Sequence, residues 1–135
     1  MIQRSMQIVS LSVMLLLLGG CGCGKTTNFR KIDADIDGTV IRGKYPVSKS
    51  IAKDVDCYRF DYDRAGKLLK IKHLKATMFP NFYLPYWATQ VRFQYSDVSE
   101  KRTFLNFKGK VIGSQVLELR NGHPASVSFY DATGR

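Results

Sequence analysis

The chain has 135 residues, room for one domain, and its 44% hydrophobic and 24% charged side chains exclude a disordered polymer. Its 21 basic and 11 acidic side chains give a formal net charge of +10, which favours anionic partners: lipid headgroups, acidic glycans or nucleic acid. The first element in chain order is a targeting segment. Met1 to Gln7 is short and polar with one cation, Arg4; Ile8 to Leu18 is apolar except for Ser10 and Ser12; Gly19 and Gly20 then precede Cys21. A basic start, an apolar stretch of roughly 7–15 residues and small residues at the end are the layout of a cleaved secretory signal. The apolar part falls short of the roughly 20 residues that span a bilayer comfortably as a helix.

Leu18-Gly19-Gly20-Cys21 resembles the lipobox of bacterial lipoproteins, with Leu three places before Cys and small residues between. The resemblance implies cleavage between Gly20 and Cys21, a diacylglyceryl thioether on Cys21 and, in Gram-negative cells, an acylated new amino group. Cys23 fits this pattern worse, because Gly20 would take the Leu place. Two or more acyl chains make stable anchors, since each buried methylene contributes about 0.8 kcal/mol. Loss of residues 1–20 removes only Arg4 among the charged groups, so the net charge falls from +10 to +9. Gly22, where the Gram-negative retention pattern has Asp, implies an outer-membrane address facing the periplasm in such a cell.

The same stretch, Gly19 to Thr26, also satisfies the phosphate-binding pattern G-x-x-x-x-G-K-[ST]. A nucleotide-binding protein would place Lys25 on the terminal phosphates and Thr26 on magnesium, and the motif would open a helix. The approach to Asp37-Gly38 within a dozen residues argues against that helix, and cleavage before Cys21 would cut the loop in two. Of the remaining cysteines, Cys23 and Cys57 could form a disulfide in an exported protein, although Cys57 also reads as a buried strand residue.

Asp33, Asp35 and Asp37, followed by Gly38, match the first half of a calcium loop. The helix–loop–helix form needs Glu at its twelfth position, which here is Lys44, so the segment also reads as a strand ending in an Asp-Gly turn before Thr39-Val40-Ile41. These features divide the chain into a signal peptide (1–20), a Gly-rich tether with an acidic loop (21–38) and a single antiparallel β domain (39–135).

The body has period two. Cys57 to Tyr62, Val91 to Tyr95, Val116 to Arg120 and Val127 to Tyr130 read as strands with one apolar face. Turn signals lie between them at Asp63-Arg64-Ala65-Gly66, Lys108-Gly109-Lys110, Asn121-Gly122 and Asp131-Ala132-Thr133-Gly134. The expected fold is mainly β, an antiparallel β-meander of serial hairpins after a cleaved N-terminal signal helix. Arg59-Phe60-Asp61-Tyr62 recurs as Arg92-Phe93-Gln94-Tyr95, and Tyr62-Asp63-x-x-Gly66-Lys67 as Tyr130-Asp131-x-x-Gly134-Arg135, which suggests a unit of about 33–35 residues. The Tyr-Asp-x-x-Gly pattern resembles the YD repeats of Rhs-type surface and toxin-shell proteins. That resemblance implies serial hairpins and an accessory or immunity-like lipoprotein of a toxin system.

Two surface candidates remain. Phe79, Phe82, Tyr83, Tyr86 and Trp87 form an aromatic, proline-containing stretch that could stack on sugars, lie at a membrane interface or cap the sheet. Just before it, Lys70, Lys72 and His73 flank the apolar Leu69 and Ile71, reading as a solvated strand face beside Arg64, Lys67 and Lys75. Basic residues beside aromatics could bind single-stranded nucleic acid, but export favours a membrane, an anionic glycan, a lipid headgroup or an envelope protein. There is no Ser/His/Asp or Cys/His set and no zinc-ligand spacing. His73 and His123 are solitary, and Asp61 and Asp63 are explained by strand and turn chemistry. The sequence therefore reads as a lipid-anchored binding or scaffolding protein, not an enzyme, with no cofactor beyond the lipid on Cys21.

Overall fold

Among the described residues, alternation of apolar and polar side chains produces eight antiparallel strands in one sheet. The structure is a computed structural model, and it describes residues 24–35, 39–74 and 84–135. The strands are β1 (Thr26–Ala34), β2 (Ile41–Val47), β3 (Cys57–Tyr62), β4 (Leu68–Leu74), β5 (Gln90–Tyr95), β6 (Ser99–Leu105), β7 (Val111–Arg120) and β8 (His123–Asp131). From β3 to β8 each strand pairs with its successor, so this part is a meander. The departure lies at the start, where β1 sits between β2 and β3. Because β1 is antiparallel to both, β2 and β3 run the same way and need a crossover. That crossover carries a one-turn helix, α1 (Lys49–Ala52), capped by Ser48.

The expected start of the β domain is corrected from residue 39 to Thr26, because β1 occupies ground assigned to the tether. Its pattern is mostly polar and charged, which hides it in the sequence, but two apolar anchors hold it. Ile32 is buried, and the Phe29 ring meets Phe60 edge-on at 5.0 Å. Strand β6 is likewise absent from the expected elements, and its cause is a buried charge. Arg102 occupies an inward position of Ser99–Leu105, so the apolar alternation breaks there.

Residues opposite one another in the ladders share a face. One face therefore collects Phe29, Tyr58 and His73, then Phe60, Ile71, Val91, Phe104 and Gly113, then Phe93, Arg102 and Gln115. This inner face is the core. Leu84, Tyr86 and Ala88, from the segment before β5, cover part of it. Gly113 is needed there, since a Cβ on it would lie 2.8 Å from the Tyr86 ring. The sheet also curls over this face: the Arg102 guanidinium donates to the Thr39 carbonyl in the β1–β2 turn.

One turn geometry is used three times. At Asp63 the carboxylate accepts from Lys67 N at 2.9 Å, its backbone N donates to Lys67 O at 2.8 Å, and Gly66 at φ 84° donates to Asp63 O. Asp131, Gly134 and Arg135 repeat this arrangement, as do Asn106, Gly109 and Lys110. The middle member was visible in sequence only as Lys-Gly-Lys, because Asn stands for Asp. The three turns begin at residues 63, 106 and 131, and a shorter turn closed by Ser96 N donating to Ser99 O lies between the first two.

Candidate functional site

The outer face is polar by the same alternation that makes the inner face apolar. Across β1, β3, β4, β5, β6, β7 and β8 one row reads Thr26, Asp61, Lys70, Arg92, Thr103, Ser114 and Tyr130. The row on one side holds Asn28, Arg59, Lys72 and Gln90; the row on the other holds Gln94 and Lys101. Five cations, Arg59, Lys70, Lys72, Arg92 and Lys101, thus gather on four adjacent strands.

Asp61 is the carboxylate among them. It accepts from the Thr26 hydroxyl at 2.9 Å and lies 3.4 Å from Arg59 Nε and 3.3 Å from Lys70 Nζ. The Arg59 contact is an ion pair without hydrogen-bond alignment. Pairs this exposed each contribute about 0–1 kcal/mol, so Asp61 balances local charge more than it holds the fold. Lys72, Arg92 and Lys101 have no carboxylate partner among the described residues.

Around the middle row the face is recessed. An open hollow of about 430 Å³ is lined by Asp61, Leu69, Lys70, Arg92, Phe93, Gln94 and Thr103. It offers two cations, a carboxylate, an amide, a hydroxyl and the partly exposed Leu69 side chain. Concave shape, convergent polar groups and surplus charge coincide at one place, as a binding site requires. No protein-family model, curated protein or solved structure matches this chain.

The residues expected from sequence separate into three groups. Lys70 and Lys72 do lie on the solvated face of β4, whereas His73 points inward, stacked on Tyr58 at 4.6 Å and hydrogen-bonded to Asp56. Tyr86 takes the sheet-covering arrangement: its ring lies against Phe104 and Gly113, on the opposite side of the sheet from Lys70. Trp87 is 63% exposed. Phe79, Phe82 and Tyr83 lie outside the described residues, as do Cys21, Cys23 and the cleavage site. Cys57 is fully buried in β3, and any Cys23–Cys57 pairing falls outside the described residues as well.

The acidic loop has other occupations. Asp33 pairs with Lys44 at 2.9 Å across β1–β2. Asp35 accepts from the Thr39 hydroxyl at 2.6 Å and from Val40 N at 3.0 Å; these bonds, the hydroxyl first, hold its carboxyl below the ordinary range. Asp37 lies outside the described residues. Nor does the Gly19–Thr26 stretch lead where a phosphate-binding loop must, because Thr26 opens strand β1 and not a helix.

Sequence reasoning missed Arg92, Gln94, Lys101 and Thr103. The signal for the first two was present: they are the polar positions of Val91-Arg92-Phe93-Gln94-Tyr95. Lys101 and Thr103 were hidden because β6 itself went unrecognised.

Proposed function

We propose that this chain is a lipid-anchored protein of the bacterial envelope whose β domain binds an anionic partner on the outer face of β3–β6, and that it acts by binding and not by catalysis. The observation that carries the reading is the group Lys72, Arg92 and Lys101, gathered on the outer face in and beside the hollow without carboxylate partners among the described residues. Cations left uncompensated on a single surface favour an external anion.

The anchor rests on Leu18-Gly19-Gly20-Cys21, and the fold adds a constraint to it. With β1 starting at Thr26, residues 22–25 are all that separate Cys21 from the sheet, a reach of at most about 18 Å even when extended. A domain on so short a leash stays beside the headgroups, with Thr26 on the same outer face as the hollow. In a Gram-negative cell Gly22, where the retention pattern has Asp, supports the periplasmic side of the outer membrane as its address.

Intact mass and detergent phase partitioning test the anchor. The expected product lacks residues 1–20, carries acyl mass on Cys21 and enters the detergent phase, whereas Cys21→Ala stays in the aqueous phase. A wild-type chain that keeps its first 20 residues and remains aqueous contradicts the reading.

A further inference from the structure

Building on the anion-binding reading of the outer face, we infer that the hollow recognises an acidic sugar unit within a linear carboxylate-bearing glycan. The chemistry of the lining selects this class. Arg92 and Lys70 stand directly opposite each other in the β4–β5 ladder. A planar guanidinium matches a carboxylate with two parallel hydrogen bonds, and an ammonium beside it adds charge without fixing direction. Those two groups alone would suit any anion.

Asp61 narrows the choice. It lines the same hollow, with its charge already compensated by Arg59 and Lys70 and one oxygen accepting from the Thr26 hydroxyl. A phosphodiester offers only acceptors on its charged groups and has no use for a carboxylate in the wall. A sugar acid presents its own carboxylate together with hydroxyl donors. Its carboxylate goes to Arg92 and Lys70, and its hydroxyls donate to Asp61 and exchange hydrogen bonds with Gln94 and Thr103. Leu69, 42% exposed, offers an apolar contact for the C–H face of the ring.

The surroundings agree with a chain of such units. Lys72 lies one row before the hollow on β4, and Lys101 one row after it on β6. From the spacings of a sheet, the stripe from Lys72 to Lys101 runs about 17 Å. Single-stranded nucleic acid would call for exposed aromatic platforms, yet the outward positions around the hollow are Lys70, Lys72, Arg92, Gln94, Lys101 and Thr103, and Phe93, which also borders the hollow, is buried in the core.

The test uses the full-length protein in neutral detergent, titrated with three acidic glycans (polygalacturonate, alginate and hyaluronate), neutral dextran, a thymidine oligonucleotide and phosphatidylglycerol vesicles. Binding to at least one acidic glycan, tighter than to the other probes, is expected. Arg92→Gln should weaken it roughly tenfold or more, while Lys108→Gln, an equal charge change at a distant turn, leaves it unaltered. Asp61→Asn decides between recognition and bulk attraction. It raises the net positive charge, so attraction to any polyanion predicts tighter binding, whereas use of Asp61 as a hydroxyl acceptor predicts loss. Thr103→Val, which is charge-neutral, should also weaken binding if Asp61→Asn proves unstable. Tighter glycan binding by Asp61→Asn, or preference for the oligonucleotide or the vesicles, overturns the sugar assignment and leaves the anion-binding face standing. Absence of binding to every anionic probe overturns both.

Discussion

Arg92 on β5 and Arg102 on β6 stand one register step apart, since Arg92 faces Thr103 across the ladder and Phe93 faces Arg102. One points out and the other in. Arg102 is 3% exposed and is enclosed by acceptors: its Nε donates to Glu100 at 2.7 Å, one Nη donates to the Gln115 side-chain oxygen at 3.3 Å, and the other donates to the Thr39 carbonyl. The Phe93 ring lies 5.6 Å from its guanidinium carbon. Arg92 has no carboxylate partner among the described residues and lines the outer hollow. The same side chain thus serves as an internal clasp on one face and as a ligand group on the other. What separates the roles is whether its hydrogen-bonding capacity is already used by the fold.

The largest effect should come from opening the clasp. Arg102→Met leaves the Glu100 carboxylate and the Thr39 carbonyl without their donor and frees the β1–β2 turn from β6. A loss of about 3–5 kcal/mol is expected by urea denaturation, the range for removing one partner of a buried ion pair. A loss below about 1 kcal/mol would show that the curl of the sheet holds without it. Next comes the lid over the inner face. Gly113→Ala drives a methyl group to 2.8 Å from the Tyr86 ring, and about 1–3 kcal/mol should be lost as that ring is displaced. Adding Tyr86→Ala should remove most of the steric part of the penalty, a coupling a double-mutant cycle reads directly.

Only part of this contrast was legible in the sequence. The alternation in β3, β5, β7 and β8 was plain because their inward positions are mostly apolar, and the Asp-x-x-Gly turns announced themselves through a required positive φ at Gly. Strand β6 was illegible because Arg102 fills a core position, and a charge there looks like a surface residue until its acceptors are seen. Those acceptors come from far along the chain: Gln115 lies on β7 and Thr39 in the first turn. Lys70 and Lys72 were recognisable as an outward face, but the hollow was not, because its other cation and its amide lie on β5, across a ladder whose register the sequence does not state. The choice among readings of Tyr86 stayed open for a related reason. Its neighbour Trp87 is exposed, and nothing local reveals that Tyr86 turns toward Gly113.

A smaller effect probes the boundary between the two faces. The Tyr95 hydroxyl donates to the Leu68 carbonyl at 2.7 Å, and burial, with a further push from Glu100, raises its pKa from 10.0 to about 12. Between those values the unfolded chain releases the phenolic proton and the folded chain keeps it, so stability should fall as pH rises through that window. Denaturation curves should show the decline in the wild type and a shallower one in Tyr95→Phe. Equal slopes would mean that the phenol is no better shielded in the fold than in the unfolded chain.

Arg92 is available to bind while Arg102 is committed to the fold, and a paired measurement on Arg92→Gln and Arg102→Met tests this division most directly. Each variant is followed by urea denaturation and by titration with the acidic glycan that binds the wild type best. Arg92→Gln should stay within about 0.5 kcal/mol of wild-type stability and lose roughly tenfold or more in glycan affinity. Arg102→Met should lose stability heavily and, under conditions where it remains folded, bind nearly as the wild type does. An Arg92→Gln variant that is strongly destabilised, or that binds every anionic glycan unchanged, would contradict the division of labour between the two faces.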